Sequence, residues 1–345
     1  MKKNLILLLI VFLATMGVAQ AAKEELYVYC WSEYIPDAVV KQFTAKTGIR
    51  VILSTYDSNE AMYAKVRMTD AKGYDLIVPS TDFVARMRRE ELLLPIDKGL
   101  LTNLGNISAK LMDRNFDPQN LYSVPYMWGS TAIAVNGADP TAKTVKSLAD
   151  LWKPELKGKL LLPNDMRSVV GLGLLRLGYS INDTDPAHIA QACELLKPLM
   201  ENVRVFDSDS PKQALLNKEV QVAVLWNGEA YIAAGENKNI RYIYPPEGFS
   251  MWLDSFCIPR GAKNNAAAHK FIDYILKPEV GAAISKELGY SSPNQKSMEQ
   301  LPKAVRTNST VYPDDATFAK GEFETDLAEA IKPYETCWTV LKAGR

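Results

Sequence analysis

Leu26-Tyr-Val-Tyr-Cys30, then Pro36 through Gly48, then Arg50-Val-Ile-Leu-Ser54 read as strand, helix, strand. The first and third segments are rich in branched and aromatic residues, which suit a pleated, packed surface. Pro36 stands where a helix can begin, because a first-turn residue needs no N–H, and Gly48 stands just past its end. Two strands joined through a helix can lie parallel. The pattern then continues. Asp57 and Glu60 have the spacing of a capping box for a helix reaching Met68. Tyr74-Asp-Leu-Ile-Val78 is a third strand, bounded by Pro79. Apolar strands of this kind are buried on both faces, in a parallel sheet covered by helices on each side.

After Pro125 the pattern restarts. Thr131–Val135, Lys159–Leu162, Val220–Leu225 and Ser250–Ile258 read as strands. Between them lie a short helix at Leu148–Trp152 and two longer ones around Arg167–Leu177 and Ala187–Met200. From Asn264 onward the chain is mostly helical. The expected fold is α/β with two lobes. Residues 22–130 with about 258–310 form the first lobe and 131–257 the second. At least two strands cross between them, and a C-terminal helical segment, about 311–345, packs on the lobes.

The N-terminus carries a targeting pattern. Lys2 and Lys3 precede an apolar run from Leu5 to Val18, and Ala19-Gln20-Ala21 supplies the small-x-small cleavage pattern. A spanning helix needs about 20 apolar residues, so residues 1–21 are expected to be a cleaved signal peptide and the mature protein to work outside the cytoplasm. Forty basic residues balance forty acidic ones, and no basic run marks a nucleic-acid surface. Cys30, Cys193, Cys257 and Cys337 allow three two-bridge pairings, which sequence does not separate. With no CxxC pair and only His188 and His269, both in polar, helix-like settings, neither a metal site nor a cofactor is expected.

In open α/β sheets, ligands bind beyond the carboxyl ends of the strands. There the chain places Trp31-Ser32-Glu33-Tyr34, Ser80-Thr81-Asp82, Asn164-Asp165, Trp226-Asn227-Gly228-Glu229 and Trp252-Leu253-Asp254. Single turn aspartates are usually helix caps, and single tryptophans usually core. Their recurrence together at several strand ends points instead to a cation site. Carboxylates accept from ammonium groups, aromatic faces attract cations, and aromatics also cover methylenes. No lysine or arginine occupies these turns, Arg167 lying two residues past Asp165.

The same blocks carry a family resemblance. Trp31-Ser-Glu-Tyr34, Tyr74-Asp-Leu-Ile-Val-Pro-Ser-Thr81, Pro125-Tyr-Met-Trp-Gly129, Leu225-Trp-Asn-Gly228, Trp252-Leu-Asp-Ser255 and Leu341-Lys-Ala-Gly-Arg345 occur in order over nearly the whole mature chain. They resemble the periplasmic spermidine/putrescine-binding proteins of bacterial ABC transporters. The resemblance implies a type II-like two-lobed periplasmic binding protein with a central cleft and hinge crossovers. It also implies a polyamine ligand, a membrane permease as partner, and no catalysis; a monomer is expected, since one ligand and one docking surface suffice. By position, Trp31, Ser32, Glu33, Tyr34, Ser80, Asp165, Trp226, Trp252, Asp254 and Tyr290 match ligand contacts. Three further contact positions depart from the spermidine-preferring pattern: Asp82 stands where a Tyr is usual, Ser168 where a Glu contributes an acid, and Glu324 where a Gln is usual. Glu229 likewise replaces a small polar residue. These changes imply a polyamine site whose ammonium positions are shifted. A same-fold sensor for a membrane signalling protein and a secreted hydrolase using paired acids are the alternatives.

Overall fold

A computed structural model describes residues 24–344; the expected signal peptide lies outside the described residues. The strands are β1 (Glu25–Trp31), β2 (Arg50–Tyr56), β3 (Leu76–Ile77), β4 (Leu93–Leu94), β5 (Ser123–Asn136), β6 (Leu160–Leu162), β7 (Val203–Phe206), β8 (Val222–Trp226), β9 (Ile240–Ile243), β10 (Phe249–Pro259) and β11 (Gly321–Phe323). They join in one sheet with the path β2-β1-β3-β10-β5-β8-β6-β7; β4 and β11 pair with β10, and β9 pairs with β5.

The sheet holds two parallel sets. β1 pairs in parallel with β2 and β3, and β6 with β7 and β8. The long strands β5 and β10 run antiparallel to each other between the sets. Almost every residue of both is buried, as expected of central strands covered on each face. The α/β class read from the sequence is therefore observed, with parallel sheet on each side of an antiparallel seam.

Local elements differ from the sequence reading where context overrides pattern. The strand at Thr131 begins eight residues earlier, at Ser123, so Pro125 lies inside β5 rather than before a new segment. It is tolerated because the register jumps there. Asp254 pairs with Met127 and Ser255 with Pro125, leaving Tyr126 unpaired as a bulge. The helix Asn59–Met68 is capped by Ser58, whose hydroxyl accepts from the Ala61 N–H, and not by Asp57. β3 shrinks to two residues, and Leu148–Trp152 is a 3₁₀ turn. His269 is not in a polar setting: it is buried, and its Nε2 accepts from the Asp97 N–H.

Two main cores flank the seam. The first packs Leu26, Val28, Phe43, Phe256 and Phe271, using helices Asp37–Thr47 and Asn265–Ile275. The second packs Leu160, Leu162, Val170, Leu196 and Tyr334, using helices Met166–Arg176, Pro186–Leu199 and Ile331–Ala343. Of the possible pairings, the fold makes Cys193–Cys337 and leaves Cys30 and Cys257 buried and unbridged. Burial pushes the Cys30 thiol up to about 12, which makes it inert.

The bridge ties the helix Ile331–Ala343 to its neighbour across 144 residues of chain, and a cross-link of that span restricts the unfolded chain strongly. A Cys193→Ser/Cys337→Ser double substitution is expected to cost about 2–4 kcal/mol. Thermal denaturation with and without reductant checks this; an unchanged midpoint would show that the bridge contributes nothing.

Candidate functional site

The carboxyl end of β1 opens a cavity of about 510 Å³, a volume suited to a small ligand. Trp31 closes β1, and its indole N–H donates to the Val78 carbonyl at 3.1 Å, which fixes the ring against the end of β3. The chain then turns through Glu33, which takes a left-handed conformation with φ 51°. That turn aims Glu33 outward and Tyr34 inward. At the centre sits Asp254. Its carboxylate accepts from the Tyr34 hydroxyl and from the Ser80 hydroxyl, each at 2.6 Å. Asn59 donates to Ser80 in turn, at 3.1 Å.

The aromatic wall depends on two glycines. A Cβ on Gly129 would lie 2.4 Å from the Trp252 ring, and one on Gly228 would lie 2.3 Å from the Tyr290 ring. Without those atoms, the Trp252 ring can lie against Gly129 of β5 and the Tyr290 ring against Gly228. The two rings meet edge to face at 5.3 Å, and Tyr290 meets Tyr34 at 5.9 Å. The Trp252 indole N–H has no partner within the protein.

The structure brings Trp31, Ser32, Glu33, Tyr34, Ser80, Asp165, Ser168, Trp226, Trp252, Asp254, Tyr290 and Glu324 to this one wall. Asp82 is the exception. It is buried behind the wall, with its carboxylate 3.7 Å from the Arg167 guanidinium. Asp165 caps the helix Met166–Arg176 by accepting from the Ser168 N–H, so it is both cap and wall. Glu324 accepts from the Ser250 hydroxyl at 2.8 Å.

Sequence reasoning missed Lys212. It reaches the wall from the first turn of the helix Pro211–Leu216, beside Ser208 and Asp209. The absence of a cationic side chain at the strand ends is thereby corrected. The missed signal was β7: Val203-Arg-Val-Phe206 alternates over only four residues, and the turn after it carries Ser208 to Lys212. Even so, the wall bears eight carboxyl groups against one amine.

This arrangement of one cavity at the seam of two parallel sheets can be compared with known proteins. A model of the bacterial extracellular solute-binding proteins matches residues 38–318. The chain belongs to that family. A spermidine/putrescine-binding periplasmic protein of Salmonella typhimurium is 44% identical over 331 residues, covering 96% of this chain and 95% of its own. The Escherichia coli K12 protein of the same description is 44% identical over 333 residues, covering 96% of each. Among solved structures, the spermidine/putrescine ABC transporter substrate-binding protein PotD of Streptococcus pneumoniae is 34% identical with a TM-score of 0.80, covering 93% of this chain and 99% of that one. The two-lobed architecture is thus that of the solute-binding proteins.

Electrostatics complete the description of this solute-binding protein. Burial raises the Asp254 carboxyl from its ordinary 3.8 to about 7, against the two hydroxyl donors that favour its anion; nearby Asp82 adds to the rise. Burial likewise raises Glu324 from 4.5 to about 8, with Arg167 opposing and Asp165 and Asp82 adding. Both acids thus hold their protons to higher pH in the ligand-free fold than an ordinary carboxyl does. A raised carboxyl stabilises the fold fully below its unfolded pKa of about 4, and that contribution is lost as pH rises through about 7 to 8. The melting temperature of ligand-free protein should therefore carry a falling component between pH 5 and 8.5. Asp254→Asn should flatten it near pH 7. If the variant keeps the wild-type slope, Asp254 is not its source.

Proposed function

We infer that the chain is an extracytoplasmic polyamine-binding protein that delivers putrescine or spermidine to the permease of an ABC transporter. One observation carries the ligand class: an aromatic-walled cavity with eight carboxyl groups and a single amine. Such a wall repels anions and offers little to neutral solutes. It suits a flexible cation, whose ammonium groups need charged acceptors and whose methylenes need apolar cover. The names of the 44%-identical relatives support the same reading.

The proposed work is conformational. Residues 22–130 with about 258–310 act as one lobe and 131–257 as the other, and β5 and β10 carry the hinge between them. Trp31, Glu33, Tyr34 and Ser80 meet the ligand from the first lobe, and Asp165, Ser168 and Trp226 from the second. Trp252 and Asp254, on the crossing strand, form the floor. A cation touching both sides favours the closed form over the open one by its differential contacts. Asp82 acts from behind, through its charge on Asp254 and its pairing with Arg167. The permease then reads the closed state of a periplasmic monomer.

Calorimetry on refolded, ligand-free protein with putrescine, cadaverine, spermidine and spermine tests the proposal. One-to-one saturable binding of at least one is expected, and the ligand should be recovered unmodified. Asp254→Asn should weaken that binding by about tenfold to a hundredfold, the worth of one charge-assisted hydrogen bond. Folded wild-type protein that binds none of the four would refute the reading.

A further inference from the structure

We propose that Lys212 is a built-in ammonium group that occupies one side of the cavity and so restricts the site to short diamines. The inference rests on the polyamine reading and concerns which polyamine fits. Lys212 Nζ lies 3.1 Å from each carboxylate oxygen of Glu229 and 3.5 Å from Glu33 Oε2. Lys212 and Glu229 are each only 8% exposed. Two of the wall's carboxylates are therefore already paired with one cation of the protein itself.

The placement follows from those acids; the other nearby contact, the Ser210 hydroxyl at 3.5 Å, carries no charge. A lysine in the first turn of a helix sits at the positive end of the helix dipole, where a cation gains nothing. Burial also works against the Lys212 ammonium, yet the attraction of Glu229 and Glu33 outweighs it and holds its pKa above the usual value. The side chain stays charged and seated. A ligand ammonium entering this side would meet a fixed positive charge, with Ser208 and the exposed carboxylate of Asp209 as the remaining acceptors.

Two of the remaining wall acids, Asp165 and Glu324, form a different group. Glu324 and, behind the wall, Asp82 both feel the charges of Arg167 and Asp165, and Asp82 in turn perturbs the Asp254 carboxyl. Of the six wall acids left, Asp37, Asp209 and Glu287 are exposed, so two sheltered ammonium positions remain: one at Asp254, one at Asp165 and Glu324. Putrescine and cadaverine carry two ammonium groups. Spermidine and spermine carry three and four, and the extra charge must approach Lys212.

Lys212 also joins two sides of the cavity, because Glu33 follows β1 while Lys212 and Glu229 follow β7 and β8. A latch of this kind would affect every ligand alike. A selectivity element would not. The test is the ratio of spermidine to putrescine affinity in wild type, Lys212→Met, and Lys212→Met/Glu229→Gln, by calorimetry on ligand-free full-length mature protein.

Wild type is expected to prefer the diamine. Lys212→Met frees two carboxylates and should shift the ratio toward spermidine by about tenfold or more. The double variant leaves no buried charge unpaired, so it folds even where the single variant does not. It still frees Glu33 and should shift the ratio in the same direction, by less. An unchanged ratio in both variants, or a parallel loss for all ligands, overturns the proposal. Wild-type protein that binds no polyamine overturns the polyamine reading instead.

Discussion

The antiparallel pairing of β5 with β10 is the constraint on which the rest of the molecule depends. It runs from Ser250 opposite Thr131 to Cys257 opposite Ser123. It is the seam between the two parallel sets, so each core is built outward from it. It is also where the floor of the cavity is made. Trp252 and Asp254 project from β10, and the register jump at Asp254 and Ser255 marks the place where the ladder yields to the site. Bulges beside binding sites commonly re-aim a side chain in this way.

Around that floor, one buried carboxylate organises the polar groups. Asp254 is held by Tyr34 from the turn after β1 and by Ser80 from the turn after β3. Asn59 steadies Ser80 from a third element. A buried carboxylate left without donors or a cation would be costly. Here two hydroxyls satisfy it partly, and its proton affinity rises until the acid is close to half-ionised at neutral pH. The cavity is thereby prepared for a cation without holding an unsatisfied charge in its absence. The Lys212–Glu229 pair solves the same problem differently, with an internal cation in place of a proton.

The substitutions that separate this chain from the spermidine-preferring pattern fall into place on this geometry. Glu229 is not a free acid, because Lys212 neutralises it. Asp82 is not on the wall; with Arg167 it forms a buried pair behind Asp165 and Glu324. Ser168 leaves its side of the wall to Asp165, whose carboxylate it binds through its backbone. Charge has been redistributed across the cavity rather than simply added to it.

Strand-helix alternation, the α/β class and most of the wall were legible in the sequence. Trp31, Asp165, Trp226 and Asp254 follow apolar strands or lie within one, and the strand-end rule needs only local pattern to find them. The cap at Ser58 is local and was masked by the equally suitable Asp57 beside it; the length of β5 and the setting of His269 were not legible, because each depends on a partner distant in the chain. The Cys193–Cys337 bridge was likewise chosen by helix packing, since four cysteines alone leave every pairing open. Lys212 is the clearest case. Nothing within a few residues of it indicates that its charge will be buried; that follows only when Glu33, 179 positions earlier, and Glu229 are folded against it. Sequence by itself determined what kind of surface would line the cavity, because side-chain chemistry at strand ends is local. Tertiary structure decided which of those charges remain free for a ligand, because Coulomb interactions depend on distances that only the fold sets.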